Sequence, residues 1–207
     1  MRRVKYNLKN IGLVFYPFAF TNLSLILLEI IGNLRAENIL LLSQVIYTFF
    51  AATISVSLLS SLFEQKISEG ILFYYPKEFY LNFFSVFMMI FINISLLSIS
   101  LGGDWESYVL HGIILLSQVL ATSSFCICLA LWFRNTRYSV IVFIIISTGE
   151  LLTFGKLIPM YELYYLSDSF QAGQVLSFTL INILIAVVLN SFIYSTLSEP
   201  EYLLKSN

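Results

Sequence analysis

The chain has 207 residues, of which 58% are apolar and only 11% charged, and its mean hydropathy is +0.86. A soluble domain needs roughly a quarter of its residues charged to wet its surface, and a nucleic-acid binder shows a basic surplus, whereas the net charge here is −1. An ordinary soluble enzyme, a disordered chain and a nucleic-acid-binding module are thereby excluded, which leaves a membrane protein.

The few charges are clustered. No Asp, Glu, Lys or Arg occurs in 11–28, 38–63, 79–103, 107–133, 138–149 or 169–198. A helix that crosses a bilayer needs about 20 apolar residues. The runs predict an all-α, polytopic membrane protein of one domain over 1–207, with six transmembrane helices near 11–31, 39–63, 79–101, 108–132, 138–154 and 175–197. Continuous apolar runs argue against a β-barrel, whose strands alternate.

In chain order, Val4, Leu8 and Ile11 lie at helical spacing beside Arg2, Arg3, Lys5 and Lys9. The 1–10 segment therefore reads as amphipathic, its cations suited to anionic headgroups; the plainer alternative is a basic tail that only sets topology. The first span is read as uncleaved, because its apolar run is long for a secretory signal and no A-x-A-like site follows Gly32. Glu29 sits near its outer end, with Asn22 on the same face.

In the second span Gln44, Thr48, Ala52 and Ser55 share one helix face. The loop after it is too long for a simple connection. Phe63, Ile67, Ile71 and Tyr74 make an apolar stripe, and Gln65, Lys66, Ser68 and Glu69 lie away from it, with Glu64 at its edge. Gly70 is a weak helix interior residue and Pro76 ends the segment. This predicts an amphipathic helix over 64–75 on the inner face, which either rests on the interface or docks a cytoplasmic partner.

The third span carries Asn93, Ser95, Ser98 and Ser100, and the fourth carries Cys126 and Cys128. Residues two apart point to different sides of a helix, so the cysteines read as packing residues. The single histidine, His111, lies at the outer end of the fourth span. The fifth contains Glu150, about 18 Å from its cytoplasmic start at 1.5 Å per residue. Gly149, Gly155 and Lys156 imitate a phosphate-binding loop, but the glycines are one residue too far apart and Leu157 stands where Ser or Thr is required. The stretch 155–174, with Pro159, Tyr161, Tyr164, Tyr165 and Phe170, reads as an outer re-entrant hairpin. In the last span Thr179, Asn182, Ala186 and Asn190 share a face.

Lys and Arg set the orientation. The N-terminus, the second and fourth loops and the C-terminus hold nine of them, and the other loops only Arg35 and Lys156. Both termini are therefore expected in the cytoplasm. No catalytic constellation and no metal-ligand spacing occurs, so the chain is read as neither an enzyme nor a metal protein. Polar faces in spans serve helix packing or line a translocation path. The path candidates are Gln44, Thr48, Ser55, Thr179, Asn182 and Asn190, with Glu29 and Glu150 added because carboxylates inside a membrane are costly. The alternative for both acids is to reach the outer interface or pair with Arg35 and Lys156.

Two stretches carry a family resemblance. Phe63, Glu64, Gln65, Lys66, Ile67, Ser68, Glu69, Gly70, Ile71 and Leu72, followed by Pro76, look like the coupling segment of the membrane (permease) subunit of a type-2 ABC transporter, exporter-like. Leu129, Ala130, Leu131, Trp132, Phe133, Arg134 and Asn135, running into Tyr138, Ser139 and Val140, look like that family's fourth-span exit. The interval from Gly70 to Pro76 is shorter than the family's usual spacing. The resemblance implies a permease without a motor of its own, paired with a second copy or a homologue on separately encoded ABC ATPase subunits. Those subunits hold ATP and Mg, and this chain holds no cofactor. Glu64, Gln65, Lys66, Ser68, Glu69 and Gly70 are the expected ATPase-coupling residues. The cargo would be an amphipathic or apolar peptide, antibiotic or lipid, exported across a bacterial plasma membrane. The rival reading is the substrate-binding membrane subunit of a vitamin-type importer, which would bind its ligand tightly without the 64–75 helix.

Overall fold

The computed structural model describes residues 20, 21, 23, 24, 27, 28 and 31 and the stretches 36–64, 105–158, 162–166 and 171–198. Among them the chain is all-helical, with α1 (Ala36–Glu64), α2 (Trp105–Phe133), α3 (Thr136–Leu152) and α4 (Ala172–Ser198). The 1–10 segment, the third span and the 64–75 helix beyond Glu64 lie outside the described residues, as do Glu29, Gln65, Lys66, Ser68, Glu69 and Gly70. The six-helix count is therefore tested only over its second, fourth, fifth and sixth members.

Three helices follow the charge-free runs closely. Over the described residues α1, α2 and α4 each begin three residues before the expected span and end one after it. Backbone hydrogen bonding continues past the last apolar side chain for as long as no residue breaks it. At 1.5 Å per residue α1 and α2 are about 43 Å long and α4 about 40 Å. Windows within two of them, Val109–Phe133 and Ala172–Thr196, are long and apolar enough to cross a membrane.

The ends of α2 and α3 are set by the same device. Arg134 takes a left-handed φ of 50°. Its N–H donates to Leu131 O at 3.3 Å and that of Asn135 to Ala130 O at 3.2 Å. This is a Schellman ending, which satisfies carbonyls that a helix terminus leaves open. Asn135 then starts α3, its side chain accepting from the N–H groups of Arg137 and Tyr138. At the far end Phe154 (φ 52°) and Gly155 (φ 77°) repeat the left-handed turn, with Gly155 N–H donating to Glu150 O at 2.9 Å. α3 thus stops at Leu152, two residues short of the expected 154.

α2 is the hub: it packs on α1, α3 and α4, and α1 also packs on α3. Many of its inward residues are small or polar, among them Ser117, Ala121, Thr122, Ser123, Ser124, Cys126 and Ala130. Short side chains on several faces let three neighbours approach one helix. Of its apolar window 72% is buried, against 28% for α4, which lies at the periphery. The main core gathers Tyr47, Ile54, Leu115, Val119, Ile127, Phe143, Tyr164 and Ile193. A smaller cluster joins Ile114, Tyr165, Val175 and Phe178, where the rings of Tyr165 and Phe178 meet edge to face at 5.4 Å.

The outer faces invert the usual amphipathic pattern. On α3 the buried positions are Ser139, Phe143, Ser147 and Glu150, while Tyr138, Ile141, Ile144, Ile145 and Leu152 are exposed. On α4 Thr179, Asn182, Ala186 and Thr196 are buried together with Val175, Phe178 and Ile193, while Leu176, Leu180, Leu184, Val188 and Phe192 are exposed.

Candidate functional site

A cluster of polar side chains is buried where the chain after α3 folds back over the helices. α1 supplies Gln44 and Thr48, α2 supplies Gln118 and Thr122, and α3 supplies Ser147 and Glu150, all buried. Each pair is spaced three or four apart, so a helix turns both members to one side. In α1 and α2 the pattern repeats: the threonine hydroxyl donates to the glutamine carbonyl four residues earlier, at 2.7 Å from Thr48 and 2.7 Å from Thr122. Those bonds are to the glutamine backbone and involve no atom of the side-chain amides.

The amides grip residues 162–166. Gln44 Oε1 accepts from the Tyr165 N–H at 2.7 Å, and Gln44 Nε2 donates to Tyr165 O at 3.2 Å. One side chain thus satisfies both backbone groups of a buried loop residue, which would otherwise be costly to enclose. Gln118 Nε2 donates to Gln44 Oε1 at 2.7 Å and to Leu163 O at 2.9 Å. Leu163, Tyr164 and Tyr165 are consequently drawn into the bundle and buried.

The Tyr164 hydroxyl is hydrogen-bonded to Ser147. Burial raises its pKa above the ordinary tyrosine value, the bonds to Ser147 and Thr48 act in the opposite direction, and the Glu150 charge raises it further. It is therefore a neutral hydroxyl at physiological pH, able both to donate and to accept.

Glu150 is fully buried, and neither of its carboxylate oxygens has a hydrogen-bond partner. Lys156, expected as a pairing partner, is exposed. Arg137 stands 13 residues back along α3, about 20 Å away. The backbone around Glu150 is shaped for the fold-back. A Cβ on Gly149 would lie 2.8 Å from Leu157 Cδ2, so the bare glycine admits the Leu157 side chain against the helix. Gly149 and Gly155 flank a helix C-terminus, whose carbonyls carry partial negative charge and repel phosphate.

The other path candidates are placed elsewhere. Ser55 is buried further along α1. Thr179, Asn182 and Asn190 lie on α4, which packs on α2, and Asn190 Nδ2 donates to Ser124 Oγ of α2 at 2.7 Å. Gln118 and Ser124 are six residues apart, so at 100° per residue they occupy different faces of α2. The α1 and α4 stripes therefore meet different sides of α2. The cysteines are both free and buried, and Ser139 Oγ donates to the Cys126 carbonyl at 2.6 Å. Among the described residues no group of three or more His, Cys, Asp or Glu side chains could hold a metal ion.

Sequence reasoning singled out Gln44, Thr48 and Glu150 but passed over Gln118, Thr122 and Ser147, and took Tyr164 for an interfacial aromatic. One signal was available: Gln118 and Thr122 copy the spacing of Gln44 and Thr48 in a second charge-free run. No protein-family model, curated protein or solved structure matches the chain.

Proposed function

We propose that the chain is the permease subunit of a type-2, exporter-like ABC transporter. The observation that carries its membrane part is the inversion on α3 and α4, where serine, threonine, asparagine and Glu150 are buried and large aliphatic side chains are exposed. In water such a surface would drive aggregation. Against lipid it is the natural arrangement, because polar groups are the ones that must find partners inside the protein. The two long apolar helices agree with this reading.

The transporter part rests on the two resembling stretches. The stretch that resembles the family's fourth-span exit, residues 129–140, runs through the turn between α2 and α3, which the left-handed Arg134 and the Asn135 cap tie together by four hydrogen bonds. A firmly tied turn beside Arg134 and Arg137 suits a cytoplasmic face. In this reading six spans carry both termini inside, the 64–75 helix docks the ATPase, and the 155–174 stretch forms the outer hairpin. Two subunits surround the path for an amphipathic or apolar cargo. ATP binding favours one ATPase arrangement, and rigid docking passes that bias to the membrane subunits.

The test is charge reversal at Lys66 and Glu69, followed by a pull-down that scores co-purification with a separately encoded ABC ATPase. Both variants are expected to lose ATPase association and the ATP hydrolysis stimulated by the complex. Wild-type association and hydrolysis in both would refute the docking role.

A further inference from the structure

Glu150, a path candidate by its sequence, has chemistry that the fold itself does not use. Its carboxyl group is fully enclosed, and both oxygens lack a hydrogen-bond partner. An uncompensated carboxylate in such surroundings costs several kcal/mol, and charges are retained there only when something neutralises them. Among the described side chains of the neighbouring elements, the titratable and charged groups are Tyr47 of α1, His111, Cys126 and Cys128 of α2, and Lys156, Glu162, Tyr164 and Tyr165 of the chain after α3. None of them makes a hydrogen bond to either Glu150 oxygen.

What does gather nearby is neutral oxygen. Ser147 lies one turn before Glu150 on the buried side of α3, and its hydroxyl is hydrogen-bonded to that of Tyr164. One carboxylate with neutral hydroxyls is a hard, all-oxygen donor set that balances one positive charge and not two. Residues 162–166, held by Gln44 and Gln118, close it off.

We propose that Glu150, with Tyr164 and Ser147, forms a binding site for an alkali cation. The bound charge neutralises the carboxylate and holds the 162–166 segment closed over it. The proposal rests on Glu150 and its neighbours and needs neither cargo nor ATPase, so it stands or falls apart from the permease reading.

The experiment follows thermal unfolding of the detergent-solubilised full chain. Na⁺ or K⁺ in turn replaces choline at constant pH and ionic strength. The wild-type midpoint is expected to rise by about 2–4 °C with one of the two cations. Glu150→Gln, which carries no charge to balance, is expected to lose that response. A second measurement uses the wild-type chain alone: a hydrophobic carbodiimide should modify Glu150, and the same cation at constant pH should slow the modification. A midpoint that moves with neither cation, a response kept in full by Glu150→Gln, or labelling indifferent to both cations would overturn the proposal.

Discussion

Replacing Gln44 by leucine tests whether the 162–166 segment is held by the amide clamp or merely by its own apolar side chains. Leucine keeps the helix and much of the volume but removes three hydrogen bonds, two to the Tyr165 backbone and one from Gln118. Gln118 Nε2 retains its bond to Leu163 O at 2.9 Å and so keeps a partner. The Tyr165 N–H and C=O each lose their bond to Gln44, and taking the partner from a buried group costs about 1–3 kcal/mol. The combined loss is about 2–6 kcal/mol, large beside a whole-protein stability of about 5–15 kcal/mol. The segment can lift away without the helices unfolding, so the loss should appear first as local opening.

Hydrogen exchange of the Tyr165 amide in the detergent-solubilised chain reads this directly. Even the lower figure of about 2 kcal/mol corresponds to exchange about 30-fold faster. Thr53→Val is the control: it lies on the same helix, its hydroxyl is bonded only within that helix at 2.8 Å, and it should leave Tyr165 unchanged. Exchange in Gln44→Leu within about threefold of wild type would refute the clamp and assign the burial of the segment to Leu163 and Tyr164 packing alone.

Two further substitutions probe the turns that position the cluster. Asn135→Ala removes the side-chain oxygen that accepts from Arg137 N–H at 2.9 Å and Tyr138 N–H at 3.3 Å; it should destabilise the chain by about 1 kcal/mol, and a midpoint equal to wild type would deny the cap its role. Gly155→Ala forces a Cβ onto a residue with φ 77° and sets it 3.4 Å from Glu162 Cγ and Leu166 Cδ1. A loss of about 1–2 kcal/mol is expected, checked by the same unfolding midpoint, and an unchanged midpoint would show that the left-handed turn carries no strain for alanine.

The helices were legible because charge is punctuation in so apolar a chain. The empty intervals 38–63, 107–133 and 169–198 mark α1, α2 and α4 to within three residues. The C-terminus of α3 was less legible. Charge-free spacing carries the apolar pattern past Glu150 toward Phe154, but the left-handed turn at Phe154 and Gly155 ends the helix earlier, and a phenylalanine gives no forewarning of that conformation. The polar cluster was half legible. Gln44, Thr48 and Glu150 stand out as polar groups in apolar runs, yet nothing local says that Tyr164 and Tyr165 lie inside the bundle and not on its rim.

The low charge content that excludes soluble folds thus determined, without further help, a set of long apolar helices and the approximate positions of their ends. A helix needs only bonds between neighbours four residues apart, so its information is local in the chain. The order of packing was decided by the tertiary structure. α1 and α4 carry similar polar stripes, yet α2 is the helix at the centre, because its small residues on several faces admit α1, α3 and α4 together. The partners of Gln44 lie 74 and 121 residues away. Whether a polar side chain so placed lines a path, clamps a loop or, like Glu150, is left without a partner depends on what folds over it, and that is settled only when distant segments meet.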